Sequence, residues 1–165
     1  MKTFKIRFLL RIFFAIASLA MTCGNLYAQP ATELPPSKEG DYIARDFHFK
    51  SGEVLPEVRL HYTTFGQPVR DAKGQVTNAV LLLHGTGGSG QSLIRPIFAN
   101  VLFGPVQLLD ASRYYLILPD GLGHGKSSKP SDGLRMKFPQ YDYDDMVLAH
   151  KRLLEEGLGV NHLRL

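Results

Sequence analysis

Cysteine is nearly absent from this 165-residue chain: its one thiol, Cys23, lies in the first 28 residues. Beyond Ala28 there is no thiol and no disulfide, which excludes thiol catalysis and cysteine-based metal sites. Long apolar runs are missing too. Ile12 to Met21 falls short of the roughly 20 residues that cross a bilayer as a helix. Net charge of either sign is missing outside the start. The formal net charge of +4 matches Lys2, Lys5, Arg7 and Arg11, because residues 1 to 28 hold no acid. The remainder is close to neutral and has no stripe of Lys and Arg interleaved with aromatics, so nothing argues for a nucleic-acid or anionic partner.

What the first 28 residues do contain is an ordered pattern. A basic start is followed by the apolar run and then by Leu26-Tyr27-Ala28, a small-residue exit before Gln29-Pro30. That order reads as a secretory signal peptide cleaved after Ala28, giving a secreted or periplasmic protein with no membrane contact once the signal is removed. Residues 29 to 40 are polar and proline-rich and read as a flexible lead-in. Residues 41 to 165 read as one domain.

Two strands open that domain. Tyr42 to Phe49 places Phe47 and Phe49 on one side, Ser51-Gly52 makes a turn, and Val54 to Phe65 carries Val58, Leu60, Tyr62 and Thr64 at period two. This pattern predicts an antiparallel hairpin. Ala79 to Leu83 and Tyr114 to Leu118 are unbroken apolar runs, as in parallel strands covered on both faces. Between them, Leu93, Ile94, Ile97, Phe98, Val101 and Leu102 recur at helical spacing over Ser92 to Phe103, with Pro96 early. A long loop runs from Pro119 to about Tyr141. Asp142, Asp144 and Asp145 then suit the positive end of a helix. Its buried face is expected to carry Met146, Val147, His150, Leu153, Leu154 and Leu158, and Gly157 and Gly159 mark its end. His162 to Leu165 reads as the opening of a further strand.

Chemistry concentrates in two glycine-rich turns. The first, Gly85-Thr86-Gly87-Gly88-Ser89-Gly90, fits the dinucleotide pattern G-x-G-x-x-G, with Asp110 standing roughly where a ribose-binding acid is expected. Against an oxidoreductase stand the poor strand before Asp110, the hairpin ahead of the motif, and the scarcity of free NAD outside cells. The second turn ends in Gly125-Lys126-Ser127, like a P-loop, but Asp120 stands where that motif needs glycine and repels phosphate. A third reading takes both turns together. Acyl transfer through a serine needs backbone donors for the developing oxyanion, and His84-Gly85-Thr86-Gly87-Gly88 follows a strand as such a donor loop does. The backbone N–H of Thr86, with Gly85 beside it, is the expected donor.

Read in order, His84-Gly85-x-Gly87-Gly88 and Asp120-x-x-Gly123-His124-Gly125-x-Ser127 resemble the α/β-hydrolase fold. Tyr62-Thr63-Thr64-Phe65-Gly66 and Pro119-Asp120-Gly121, in the same frame, are similar to its homoserine O-acetyltransferase-like branch. The resemblance covers about residues 42 to 165. It implies an antiparallel hairpin leading into a mostly parallel sheet with flanking helices. It implies that Asp120 and Ser127 tie the loop after the fourth strand, that His124 sits near the site mouth, and that His84 stabilises its turn. It also implies a small-molecule ester or other acyl substrate and no cofactor or metal. The nucleophile elbow G-x-S-x-G is missing: Gly87-Gly88-Ser89-Gly90-Gln91 fails at its last position. The catalytic serine, acid and histidine are therefore expected downstream of Leu165, and the chain by itself is expected to be inactive. Three functions remain open beside an exported hydrolase or esterase: a homoserine O-acetyltransferase-like acyltransferase, a nicotinamide-dependent oxidoreductase and a non-catalytic binding relative.

Overall fold

The computed structural model describes residues 34–165. The expected signal peptide and the first residues of the lead-in, 29 to 33, lie outside this range.

The chain opens on a hairpin of β1 (Lys38–His48) and β2 (Val54–Phe65), paired antiparallel from Lys38↔Thr64 to His48↔Val54. β1 thus begins inside the stretch read as a lead-in, because Lys38 to Gly40 find partners on the far end of β2. The alternation in β2 holds at Val58 and Leu60, which are buried on either side of exposed Arg59. From His61 onward it breaks, and His61, Thr63, Thr64 and Phe65 are all buried. The reason is topological: Tyr62 to Phe65 pair with a second neighbour, β4 (Tyr115–Pro119), so this end of β2 lies inside the sheet.

β3 (Ala79–Leu81) pairs parallel with β4 and completes the order β1-β2-β4-β3. It is shorter than Ala79 to Leu83. The Leu82 N–H still reaches the Ile117 carbonyl at 2.9 Å, but Leu83 is half exposed where the chain turns away. Along β4 every residue is buried, with alternate side chains entering different clusters. Leu116 and Leu118 pack with Val80, Ala99 and Phe103, whereas Tyr115 and Ile117 pack with Ala79, Leu154 and Val160. Each such aliphatic side chain contributes about 2 kcal/mol on leaving water.

The segment from Ser92 to Phe103 is not one helix. A 3-10 turn covers Gly90–Leu93, and α1 runs only over Pro96–Leu102, with Pro96 in its first turn. Proline disfavours the helical conformation in the residue before it, and Arg95 accordingly takes φ −58, ψ 143. The split leaves Ile97 and Val101 facing solvent, so only part of the apolar stripe is buried.

α2 (Tyr143–Arg152) continues into a π-helical turn over Leu153–Gly157. Asp142 caps it: its Oδ1 accepts the Asp144 and Asp145 N–H groups at 2.8 and 3.4 Å, and the Asp145 carboxylate accepts the Asp142 N–H at 3.0 Å. Asp145 also accepts the Lys50 N–H at 2.8 Å, fastening α2 to the hairpin turn. His150, Leu153 and Leu154 are buried as expected, and Val147 is exposed. Ala149 takes a place in the core beside Phe47, Val58 and Leu60. Residues 162–165 form no assigned strand, but Arg164 N–H donates to the Ala79 carbonyl at 2.8 Å and Leu81 N–H to that of Leu165 at 3.1 Å. They therefore run along the open edge of β3. Among the described residues no helix is long and apolar enough to cross a membrane.

Candidate active site

β3 and β4 end side by side, and the loops leaving them meet. The loop after β3 turns at Gly85-Thr86-Gly87-Gly88, where Gly88 N–H donates to the Gly85 carbonyl at 3.0 Å and Gly87 has φ +73. A positive φ at the third position alone is the sign pattern of a type II turn, which asks for glycine there. The Gly85 carbonyl also lies 2.8 Å from Nδ1 of His84. Nε2 of the same ring accepts the Gly121 N–H, from the loop after β4, at 2.9 Å. A carbonyl only accepts and an amide N–H only donates, so the ring is neutral with its proton on Nδ1.

The consequence falls on Thr86. The peptide unit is planar and trans, so the Thr86 N–H points opposite to the Gly85 carbonyl. That carbonyl is held inward by two donors, so the N–H is turned outward, and among the described residues it has no hydrogen-bond acceptor. Thr86 and Gly85 line an open cavity of about 510 Å³, together with His84, His124, Tyr141, Asp142, Tyr143 and Met146.

The loop after β4 is held by Asp120, which is buried. Its Oδ1 accepts the Gly90 N–H and its Oδ2 the Lys126 N–H, both at 2.7 Å. Its carbonyl accepts the Ser127 hydroxyl at 2.7 Å, and the Ser127 Oγ in turn accepts the His61 N–H at 2.9 Å. Gly123 N–H donates to Ser128 and the Gly125 carbonyl accepts from Lys129 Nζ, within the same loop. The His124 ring lies 5.3 Å from that of His84, centroid to centroid, and is tilted 57° to it, at the cavity wall. Gly88 closes the turn and does not itself line the cavity.

The rival motifs do not assemble. Asp110 ends no strand; its carboxylate accepts the Ser112 hydroxyl and the Ser112 and Val106 amides at 2.6 to 2.8 Å. The hydroxyl first, then those amides, hold its carboxyl below the usual range. It is consumed in its own loop and is not available to a ribose. Among the described residues no group of three or more His, Asp or Glu is placed to hold a metal ion.

The sequence did not single out Tyr141, Asp142, Tyr143 and Met146 as site residues. Their neighbourhood to Thr86 depends on a long-range docking, and the only local signal was the helix cap at Asp142. Lys50, 3.1 Å away, keeps the Asp142 carboxyl below its ordinary range and so ionised at the cavity wall.

No protein-family model matches the chain. Curated relatives do. A probable acyltransferase of Methanothermobacter thermautotrophicus is 35% identical over 133 residues, 80% of this chain and 39% of that protein. A homoserine O-acetyltransferase of Methanobrevibacter ruminantium is 32% identical over 127 residues, 68% of this chain and 25% of that protein. Among solved structures, an acetylester hydrolase of Corynebacterium glutamicum superposes with a TM-score of 0.64 at 24% identity, over 76% of this chain and 35% of that one. The chain thus spans between a quarter and two fifths of the length of these relatives. It carries the α/β-hydrolase fold over the stretch matching the amino-terminal part of its relatives, with sequence similarity to the homoserine O-acetyltransferase-like branch.

Proposed function

We propose that this chain supplies the oxyanion-binding loop of an exported serine-type hydrolase acting on small, uncharged acyl esters. The observation that carries the proposal is the unpartnered Thr86 N–H at the cavity wall, fixed in direction by the two bonds to the Gly85 carbonyl. A preoriented donor of this kind stabilises charge as it develops on a carbonyl oxygen and requires no reorganisation during the reaction. No residue of this chain is proposed as the serine nucleophile, its base or its acid. No cofactor enters the proposed chemistry.

Hydrolysis is favoured over transfer to homoserine by the cavity wall. It presents tyrosine, methionine and histidine side chains and one ionised carboxylate, Asp142, with no Lys or Arg among its described lining residues. The phosphates of a thioester cofactor would meet that carboxylate with Lys50, already paired to it at 3.1 Å, as the neighbouring cation. Export, read from the basic and apolar pattern of residues 1 to 28, points the same way, since water is available there and thioester is scarce. Transfer remains the second reading, because sequence relatives bear that name.

The test is the protein expressed from its whole reading frame. It is assayed with 4-nitrophenyl acetate and, separately, with acetyl-CoA and homoserine. Ester hydrolysis without homoserine-dependent thiol release is expected. Thiol release that depends on homoserine overturns the hydrolase reading, and binding of an ester without either turnover points to a non-catalytic relative.

A further inference from the structure

We infer that the cavity takes a sugar as the alcohol side of its ester, and that Tyr141 is the residue that selects it. That an ester is cut rests on the reading above; the sugar is argued from the wall of the cavity alone.

Tyr141 is held at both ends. Its ring meets that of Phe138 edge-to-face, with centroids 6.0 Å apart. Its hydroxyl lies over Gly123, where an added Cβ would collide with it and stand 2.9 Å from the ring's Cζ. The side-chain space of Gly123 is thus filled by Tyr141. The backbone is fixed on either side as well: the Gln140 N–H donates to the Glu53 carboxylate at 3.2 Å, and the Asp142 N–H to that of Asp145 at 3.0 Å. Yet the Tyr141 hydroxyl makes no hydrogen bond among the described residues, whereas that of Tyr42 donates to Glu156. A phenol so placed on a cavity wall is free both to donate and to accept.

Two more acceptors belong to the same wall. A carboxylate has about four lone-pair sites. Those of Asp142 hold the Asp144 and Asp145 N–H groups on Oδ1 and Lys50 Nζ on Oδ2, which leaves room on Oδ2 for a further donor. The His124 Nδ1 lies 3.2 Å from the Leu122 carbonyl, which only accepts, so in the neutral ring Nε2 is left as an acceptor.

The ligand that matches is rich in donors and uncharged. An alkyl chain would strand these polar groups without water or partner. An ammonium group would supply donors but would have to sit beside Lys50, 3.1 Å from the Asp142 carboxylate. Hydroxyls supply donors without charge. Tyr143, 84% exposed at the same wall, adds an aromatic ring. Its face is negative, and the C–H edges of a sugar ring carry the complementary slight positive charge. The volume of about 510 Å³ lies in the range of small-ligand sites.

The inference is tested with the protein expressed from its whole reading frame. kcat/KM is measured on a mono-O-acetylated methyl xyloside and on 4-nitrophenyl acetate, whose alcohol side carries no hydroxyl. Tyr141→Phe removes the hydroxyl and keeps the ring. The ratio of sugar ester to nitrophenyl ester is expected to fall about fivefold in the variant, the worth of one ordinary hydrogen bond. An unmoved ratio overturns the inference, as does a natural protein that cleaves the nitrophenyl ester and not the sugar ester. Binding is read apart from turnover by titrating the natural protein with methyl xyloside that carries no acetyl group. Saturable shifts of the Tyr143 ring signals are expected, weakened in Tyr141→Phe. Their absence from the natural protein overturns the inference, and this titration decides if the variant does not fold. Shifts without cleavage of either ester keep the sugar site and count against the proposed hydrolysis alone.

Discussion

The Asp120 carboxylate reaches from the end of β4 to the backbone of Gly90 and accepts its N–H at 2.7 Å. With its other oxygen it accepts the Lys126 N–H at the same distance. One buried side chain thus joins the loops that follow β3 and β4. Backbone donors of this kind are costly to strand, and hydrogen bonds to a charged acceptor are worth about 1.5–3 kcal/mol each. Asp120→Ala is expected to lower unfolding free energy by about 3 kcal/mol or more, measured by urea denaturation. Asp120→Asn should recover part of this, since one amide oxygen remains to accept. A loss below about 1 kcal/mol in the alanine variant would show that water replaces both bonds.

Thr86 offers a sharper test of the oxyanion role. It stands at the second position of its turn, where proline is favoured, and its N–H is bonded to nothing among the described residues. Thr86→Pro therefore deletes the donor and leaves the turn intact. In the protein expressed from the whole reading frame, kcat is expected to fall about 100-fold or more, with the melting temperature held or slightly raised. A variant that keeps its rate removes Thr86 from the mechanism.

His150 connects burial to pH. Burial pushes it down to about 4. Its Nε2 has no partner among the described residues. In the unfolded chain the group titrates near its ordinary 6.5, so between these values the unfolded state holds a proton that the folded state refuses. Stability from this group is complete above pH of about 6.5, falls as the pH drops toward about 4, and levels off below, for a change of about 3 kcal/mol. Urea midpoints measured across that range should show the slope in the natural chain and lose most of it in His150→Leu. An unchanged slope would assign the effect to other groups.

Val106 is a cost the fold carries in the open. It is 93% exposed and has φ +66, a conformation that β-branched residues rarely adopt. The Asp110 carboxylate holds it there through its N–H, at 2.8 Å. Asparagine tolerates this region far better. Val106→Asn is expected to raise stability by about 1 kcal/mol, seen as a melting temperature several degrees higher. No change would mean that the segment relaxes freely in solution.

How much of this was legible beforehand follows from the range of the forces involved. The bounds of β2, the apolar β4 and the Asp142 cap are written locally, in period, run and side-chain type. The division of the helix at Arg95 was also written locally, in the proline after it, but the apolar spacing around Pro96 masked it. The continuous burial of β2 beyond His61 was not legible, because it depends on which strand becomes the second neighbour. The same holds for the site. His84, Thr86 and Asp120 announce themselves by motif. Their mutual bonds, and the arrival of Tyr141 and Met146 at the same cavity, depend on contacts between segments far apart in sequence.

The sheet joins two kinds of neighbour. β1 and β2 are separated by a five-residue connection between His48 and Val54, so their ladder closes with little loss of chain freedom. β3 and β4 must first bridge the stretch that holds α1. Assembly of this molecule accordingly has a cheap beginning and an expensive end: the hairpin forms on its own timescale of microseconds, and the paired loops at the cavity wait for the slower crossover. The residues proposed to do chemistry are thus among the last to find their places.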